Sequence, residues 1–276
     1  MLAQRIATAL VLALILVGSL FISTEAFLFV LALAFSTVLF EWLRLERIDQ
    51  RLSFGIALFA LVAMGMILIF PFKPKGAWFL ALELVVSCIW LAIVALCFNA
   101  RKTGFKIARI HSILFAFLFV AAAYLSIVWL MFEGGWPLVL SVFAIVWIAD
   151  VFAYFFGIAF GRHRMAPAIS PKKSWEGALG AYVCVFLAAI LCWFYVPHEM
   201  VLTSRVFSQT GPLAGTLIIF LLVSVSIAGD LFESELKRLS GVKDSGRLLP
   251  GHGGFYDRLD SAVAVFPVGV CLLLIL

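Results

Sequence analysis

Apolar runs of 16 to 23 residues recur from one end of this chain to the other, and they limit its fold more than any other feature. Crossing the hydrocarbon core of a bilayer as a helix takes roughly 20 such residues. The runs are continuous rather than alternating at period two, which indicates helices and argues against a barrel. Composition agrees, with 65% hydrophobic and 13% charged residues and a mean hydropathy of +1.17, far from that of soluble domains. The chain reads as an all-α integral membrane protein, a polytopic bundle of about nine transmembrane helices at roughly 6–23, 26–43, 53–70, 77–98, 110–132, 138–160, 178–196, 213–232 and 261–276. Only Arg5 precedes the first run and no clear small-residue cleavage site follows it, so it reads as a retained helix rather than a signal peptide. No repeat or soluble segment interrupts the pattern. A single membrane domain over 1–276 is expected, with 1–137 supplying helices without a motif and 138–276 the catalytic helices and loops.

The net charge of +5 could suggest nucleic acid, but the basic residues sit in short loops between spans, where the positive-inside bias accounts for them. With nine spans, 17 of the 20 Lys and Arg residues fall on one side and Lys73, Lys75 and Arg205 on the other. That asymmetry predicts a cytoplasmic N-terminus, a C-terminus on the opposite side, and cytoplasmic active-site loops at 161–177 and 233–260. The five cysteines lie within apolar runs and form no CxxC pair, so they read as small hydrophobes rather than a zinc site or disulfide framework.

Chemistry concentrates in Asp230 to Asp260, which holds about a third of the charged residues between two apolar runs. If a helix enters this stretch, Asp230, Glu233, Ser234 and Lys237 fall at i, i+3, i+4 and i+7 and share one face. Asp257 and Asp260 are three apart where the next apolar run opens, so both fit one side of a first turn. Between them Gly251, Gly253 and Gly254 surround His252, and glycines let backbone N–H groups approach an anion. Carboxylates without Cys or His pairs favour Mg²⁺ over a transition metal. The nearby cations suit a nucleoside triphosphate. A solvated loop whose charges pair among themselves would not need carboxylate pairs at both ends.

The loop 161–177, GRHRMAPAISPKKSWEG, follows a run in which Asp150, Tyr154 and Gly157 share a helix face. Pro167 and Pro171 are expected to hold it extended, while Ser170, Lys172, Lys173 and Ser174 offer donors to phosphate oxygens. The plainer reading makes these cations positive-inside charge, with Ser170 or Ser174 a helix cap. Glu83 and Asp150 lie inside apolar runs, where a carboxylate is costly and is a functional candidate unless it is paired for packing.

The run SELKRLSGVKDSGRLLPGHGGFYDRLD, Ser234 to Asp260, resembles the signature of the phosphatidate cytidylyltransferase family, the CDP-diacylglycerol synthases. Ser234, Lys237, Arg238, Lys243, Asp244, Pro250, His252, Gly253, Gly254, Asp257, Arg258 and Asp260 fill its fixed positions. ADVFAYFFG and the loop after it are similar to the family's second motif, with Ser174 where Thr is commoner. The resemblance implies transfer of a cytidylyl group from CTP to phosphatidic acid, giving CDP-diacylglycerol and pyrophosphate, with Mg²⁺ as cofactor. It implies Lys237, Lys243, Asp244 and Asp260 as catalytic groups and Asp230, Asp257 and Asp260 as metal ligands. Ser170, Lys172, Lys173, Ser174, Ser234, Arg238, His252, Gly253, Gly254 and Arg258 would bind substrate. CTP, phosphatidic acid and the bilayer are the implied partners, a homodimer is compatible, and a bacterial inner (cytoplasmic) membrane is the expected location. The rivals are a CTP-dependent polyprenol or phytol kinase, which would attack the γ-phosphorus with an alcohol, and an ion-coupled transporter using Glu83, Asp150 and Asp230.

Overall fold

The structure, a computed structural model, describes residues 2–70, 72–99 and 102–276, with the side chains of 2–7 and 9 also outside the described set. Two residues counted above toward the basic asymmetry, the Arg5 side chain and Arg101, therefore lie outside the described residues. Eight α-helices follow one another: α1 (Leu2–Ile22), α2 (Thr24–Leu45), α3 (Gln50–Ile69), α4 (Ala77–Asn99), α5 (Arg109–Phe160), α6 (Trp175–Tyr195), α7 (Leu202–Ser240) and α8 (Tyr256–Ile275). A short antiparallel hairpin, β1 (Arg164–Ala166) and β2 (Ser170–Ser174), stands between α5 and α6. Among the described residues seven helices, α2 to α8, are long and apolar enough to cross a membrane, and α1 contributes a shorter apolar stretch, Leu10–Ile22.

The 52 residues of α5 are too many for one crossing, since they would extend about 78 Å. The helix breaks at Gly135 (φ 69°, ψ −166°), two residues before Pro137. Positive φ is easily reached only without a Cβ, and Pro137 has no N–H for a helical bond. The chain reverses there. Near the start of α5, Ser112 accepts a hydrogen bond from Trp42 Nε1 at 3.0 Å, and Trp42 stacks on Tyr256 at the start of α8. Near its end, Asp150 lies within electrostatic reach of Asp260, also at the start of α8. α5 thus supplies two of the nine expected spans. α7 breaks likewise at Gly211 (φ 79°) before Pro212, and its first segment, Leu202 to Thr210, is a helix that the sequence reading did not assign.

Two helices run further than the apolar runs alone suggested. α7 continues to Ser240 and ends on Gly241, and α8 begins at Tyr256, so the loop between them shrinks to 241–255. The loop read at 161–177 is mostly the hairpin plus the cap of α6, where Ser174 Oγ accepts from Gly177 N at 3.2 Å.

In lipid there is little hydrophobic drive between helices, so packing contacts and small residues must hold the bundle. An aromatic group drawn from five helices fills its centre. Trp42 stacks on Tyr256 at 4.7 Å, Trp90 meets Phe119 at 4.6 Å, and Phe232 touches both tryptophans at 5.7 and 5.6 Å. The outer faces are apolar and exposed, as with Leu52, Phe59 and Val62 on α3, a surface suited to lipid rather than water. α7 and α8 are in close backbone contact at Gly229, where a Cβ would lie 2.8 Å from the Asp260 carbonyl oxygen and 3.0 Å from Ser261 Cα.

Gly229→Ala is therefore expected to force α8 off α7 and lower stability by about 1–3 kcal/mol. Gly55→Ala, which faces open space, should change it by no more than about 0.5 kcal/mol. Thermal unfolding of the two variants in one detergent checks this, and equal midpoints would contradict the packing argument.

Candidate active site

The last turns of α7 and the first turn of α8 meet at one end of the bundle, and the side chains they carry converge. On α7 the expected common face forms. Ser234 Oγ donates to Asp230 Oδ1 at 3.3 Å, and Lys237 Nζ pairs with Glu233 Oε2, one turn earlier, at 2.6 Å. From α8 Asp257 Oδ1 reaches the same ammonium, also at 2.6 Å. Lys237 is only 15% exposed and Glu233 1%. The hairpin adds a second cation, Lys173, whose Nζ lies 2.7 Å from Asp230 Oδ2. Close packing at Gly229 is what brings the two helices' acids together.

One oxygen each from Asp230, Glu233 and Asp260 lies within 4.8 Å of the others. Glu233 Oε1 is buried with no hydrogen-bond partner among the described residues. An orphaned buried carboxylate oxygen beside two further carboxylates is costly without a cation. Around them two ammonium groups, Lys173 and Lys237, stand against Asp230, Glu233, Asp257 and Asp260. With all of these ionised, the imbalance is the charge of one divalent ion. Asp150, near the end of α5, lies within electrostatic reach of Asp230, Lys173 and Arg258. The all-oxygen donor set fits a hard divalent cation such as Mg²⁺.

Two features differ from the sequence reading. The three carboxylates whose oxygens lie within 4.8 Å of one another include Glu233, which was not among the expected ligands, and not Asp257. Asp257 Oδ2 instead accepts from Ser245 N at 2.9 Å, Ser245 Oγ at 3.0 Å and Gly254 N at 2.8 Å, so its carboxylate closes the 241–255 loop. The glycine amides are likewise taken up inside the loop. Gly253 N donates to Leu249 O at 3.1 Å and Gly254 N to Asp257, instead of facing an external anion. Glycine is needed at 253 for another reason: its φ is +85°, and a Cβ there would lie 2.6 Å from Asp257 Oδ2.

The remaining candidates are spread around this centre. Arg258 Nε and Nη2 donate to the His252 carbonyl at 3.1 and 2.8 Å, bracing the loop, and Arg238 Nε reaches Ile169 O at 3.5 Å, tying α7 to the hairpin. Lys243 and Asp244 are exposed on the loop, as is Lys172 on β2. Ser174 is buried as the α6 cap and Ser170 opens β2. Glu83 is elsewhere, buried between α4 and α5, where Ser126 Oγ donates to it at 3.0 Å.

Glu41, on α2, was missed. Its Oε2 accepts from Ser245 Oγ and Tyr256 N, both at 2.8 Å. The only sequence signal was a carboxylate just inside an apolar run, in LFEWLRLE, where Arg44 and Glu46 make it look like an ordinary helix end.

A model of the cytidylyltransferase family matches residues 3–276. A Pseudomonas aeruginosa protein named phosphatidate cytidylyltransferase is 38% identical over 282 residues, covering 99% of this chain and 97% of its own. A Haemophilus influenzae protein of the same name is 33% identical, covering 97% and 96%, and one from Staphylococcus aureus is 35% identical over 210 residues, 75% of each chain. With the match running through both the helical first half and the acidic centre, the chain belongs to the cytidylyltransferase family.

Proposed function

We propose that this nucleotidyltransferase moves the cytidylyl group of CTP onto phosphatidic acid, releasing pyrophosphate and leaving CDP-diacylglycerol in the membrane. The observation that carries this is the near full-length likeness to proteins named phosphatidate cytidylyltransferase. The polar centre at one end of an apolar bundle suits a reaction between a soluble triphosphate and a lipid headgroup. A phosphate monoester is largely dianionic near neutral pH, its second pKa being about 6, so the lipid needs no strong base to become a nucleophile. One of its oxygens attacks the α-phosphorus as the bond from that phosphorus to the bridging oxygen of the β-phosphate breaks.

The obstacle is repulsion between anions, and the chain's own residues address it. Lys173 and Lys237 bring fixed positive charge beside the acids, and Lys172, Lys243, Arg238 and Arg258 surround them with exposed cations. Asp230, Glu233 and Asp260 would hold Mg²⁺, which when bound supplies charge neutralisation for the triphosphate. Ser170 and Ser234 offer hydroxyls to phosphate oxygens. The acyl chains remain in lipid, so the reaction needs no extraction of the substrate.

The basic asymmetry supports a cytoplasmic site in a bacterial inner membrane, with the N-terminus on the same side. Lys73 pairs with Glu133 at 2.6 Å, and Arg205 donates to the Glu133 carbonyl at 3.1 Å, so two of the three minority basic residues gather near the Gly135 reversal.

With α-labelled CTP and phosphatidic acid, label is expected in the lipid fraction. A kinase would leave it in soluble nucleotide, and a transporter would consume no CTP. Either result sinks the reading.

Glu233→Gln is expected to raise the Mg²⁺ concentration for half-maximal rate by roughly tenfold or more, in the range seen when groups around a metal site are altered. Asp257→Asn should instead cut turnover with little shift in the Mg²⁺ titration, since its oxygens brace the loop and Lys237. A Mg²⁺ titration that moves for Asp257→Asn and not for Glu233→Gln would reverse the ligand assignment.

For topology, Lys243→Cys and Lys75→Cys on a background without native cysteines can be treated with an impermeant maleimide. Lys75→Cys should react in intact cells and Lys243→Cys only after permeabilisation. The opposite pattern would invert the orientation.

A further inference from the structure

We propose that Glu41, on α2, is a positioning residue for the reaction: it holds the 241–255 loop and the first turn of α8 in the arrangement in which Asp257 grips Lys237. This rests on the cytidylyl-transfer reading for its kinetic consequence, though not for its structural one.

Glu41 is 1% exposed and lies in an apolar helix far from the signature in sequence. It accepts hydrogen bonds from that signature, from Ser245 Oγ and Tyr256 N at 2.8 Å each, and the Phe255 backbone also acts on it. Ser245 Oγ lies within bonding distance of Asp257 Oδ2 as well, so a single hydroxyl proton serves two carboxylates. From Asp257 the chain of contacts runs to Lys237 and on to Glu233, at 2.6 Å each. A Cβ at Gly246 or Gly254 would collide with the Glu41 carboxylate, so the loop is closed tightly around it. The neighbouring Trp42 stacks on Tyr256 and so contacts the same turn.

A packing role alone does not account for a carboxylate here. Glu41 Oε1 has no hydrogen-bond partner among the described residues, so its desolvation is only partly repaid. An apolar side chain would fill the space at lower cost. What the side-chain oxygen provides is an acceptor for one donor from the loop, Ser245 Oγ, and one from the first residue of α8, Tyr256 N.

The test uses the full-length protein in lipid nanodiscs, with Glu41→Ala, Glu41→Gln and Ser245→Ala. Three readouts are needed: hydrogen exchange of residues 241–260, kcat and KM for CTP per folded molecule, and the thermal midpoint. Glu41→Ala should speed exchange in 241–260, but not in α4 or α5, and lower kcat by about tenfold or more, as expected for lost hydrogen bonds to a charged group. Ser245→Ala removes the same link from the loop side and should shift both readouts in the same direction. Glu41→Gln keeps an oxygen acceptor and should restore exchange and most of kcat. Unchanged loop exchange and kcat in Glu41→Ala would overturn the proposal. So would a fall in midpoint with exchange raised equally throughout the molecule, which is the mark of a merely structural residue. If the wild-type protein transfers no cytidylyl group, the functional reading fails, and exchange in 241–260 alone decides whether Glu41 holds the loop.

Discussion

The ammonium of Lys237, lodged between Glu233 on its own helix and Asp257 on the next, is the contact on which the rest of the polar centre depends. Buried ion pairs contribute little net stability, because desolvation offsets the attraction. Removing one partner nevertheless costs about 3–5 kcal/mol, since the other is left charged and alone. The group therefore holds or fails as a unit. Its reach is wide: Asp257 closes the loop through Ser245 and Gly254, while Glu233 joins Asp230 and Asp260 in the acidic group. Gly229 makes this geometry accessible by letting the helix backbones approach until no Cβ fits between them.

Much of this was legible in the sequence, because membrane insertion leaves few ways to satisfy a backbone. Continuous apolar runs had to become helices, and the gap between the expected spans 110–132 and 138–160 holds the Gly135 break. The α7 face bearing Asp230, Glu233, Ser234 and Lys237 followed from the 3.6-residue period. Which acid faces which partner did not follow. Asp257 and Asp260 share a helical turn, yet one binds the loop and the other joins the acidic group, a choice set by donors from Ser245 and Gly254 that local periodicity cannot register. Glu41 was hidden for the same reason: its partners are more than 200 residues away. Reading 161–177 as an extended loop captured its backbone but not the pairing of Arg164 with Ser174, which points Lys173 toward Asp230.

That orientation of Lys173 bears on how the two motifs act together. The hairpin is anchored twice from below, by the Ser174 cap and by Arg238 reaching Ile169 O. Lys173 thus rises from an anchored strand, and its ammonium is held 2.7 Å from Asp230 Oδ2 and 3.5 Å from the Ile227 carbonyl, both on a helix that is itself pinned to α8. Both ammonium groups of the centre are therefore mounted on fixed elements. A cation on an unanchored loop would lose rotamer entropy on forming such pairs; here each ammonium is already paired with a carboxylate of α7.

The first half of the chain enters the same construction, although it carries no motif. A lipid-facing scaffold would need only apolar side chains, as α3 largely has. α2 instead sends two consecutive residues into the signature, Glu41 to the loop and Trp42 to Tyr256, and anchors Trp42 in turn through Ser112 on α5. Consecutive residues on a helix point about 100° apart, so both can engage one target only if that target wraps the helix end. The 241–255 loop and the first turn of α8 do so, Gly246 and Gly254 passing close against the Glu41 carboxylate. The end of α2 is thus a wall of the polar centre, and a substitution there acts on Asp257 and Lys237 without touching either.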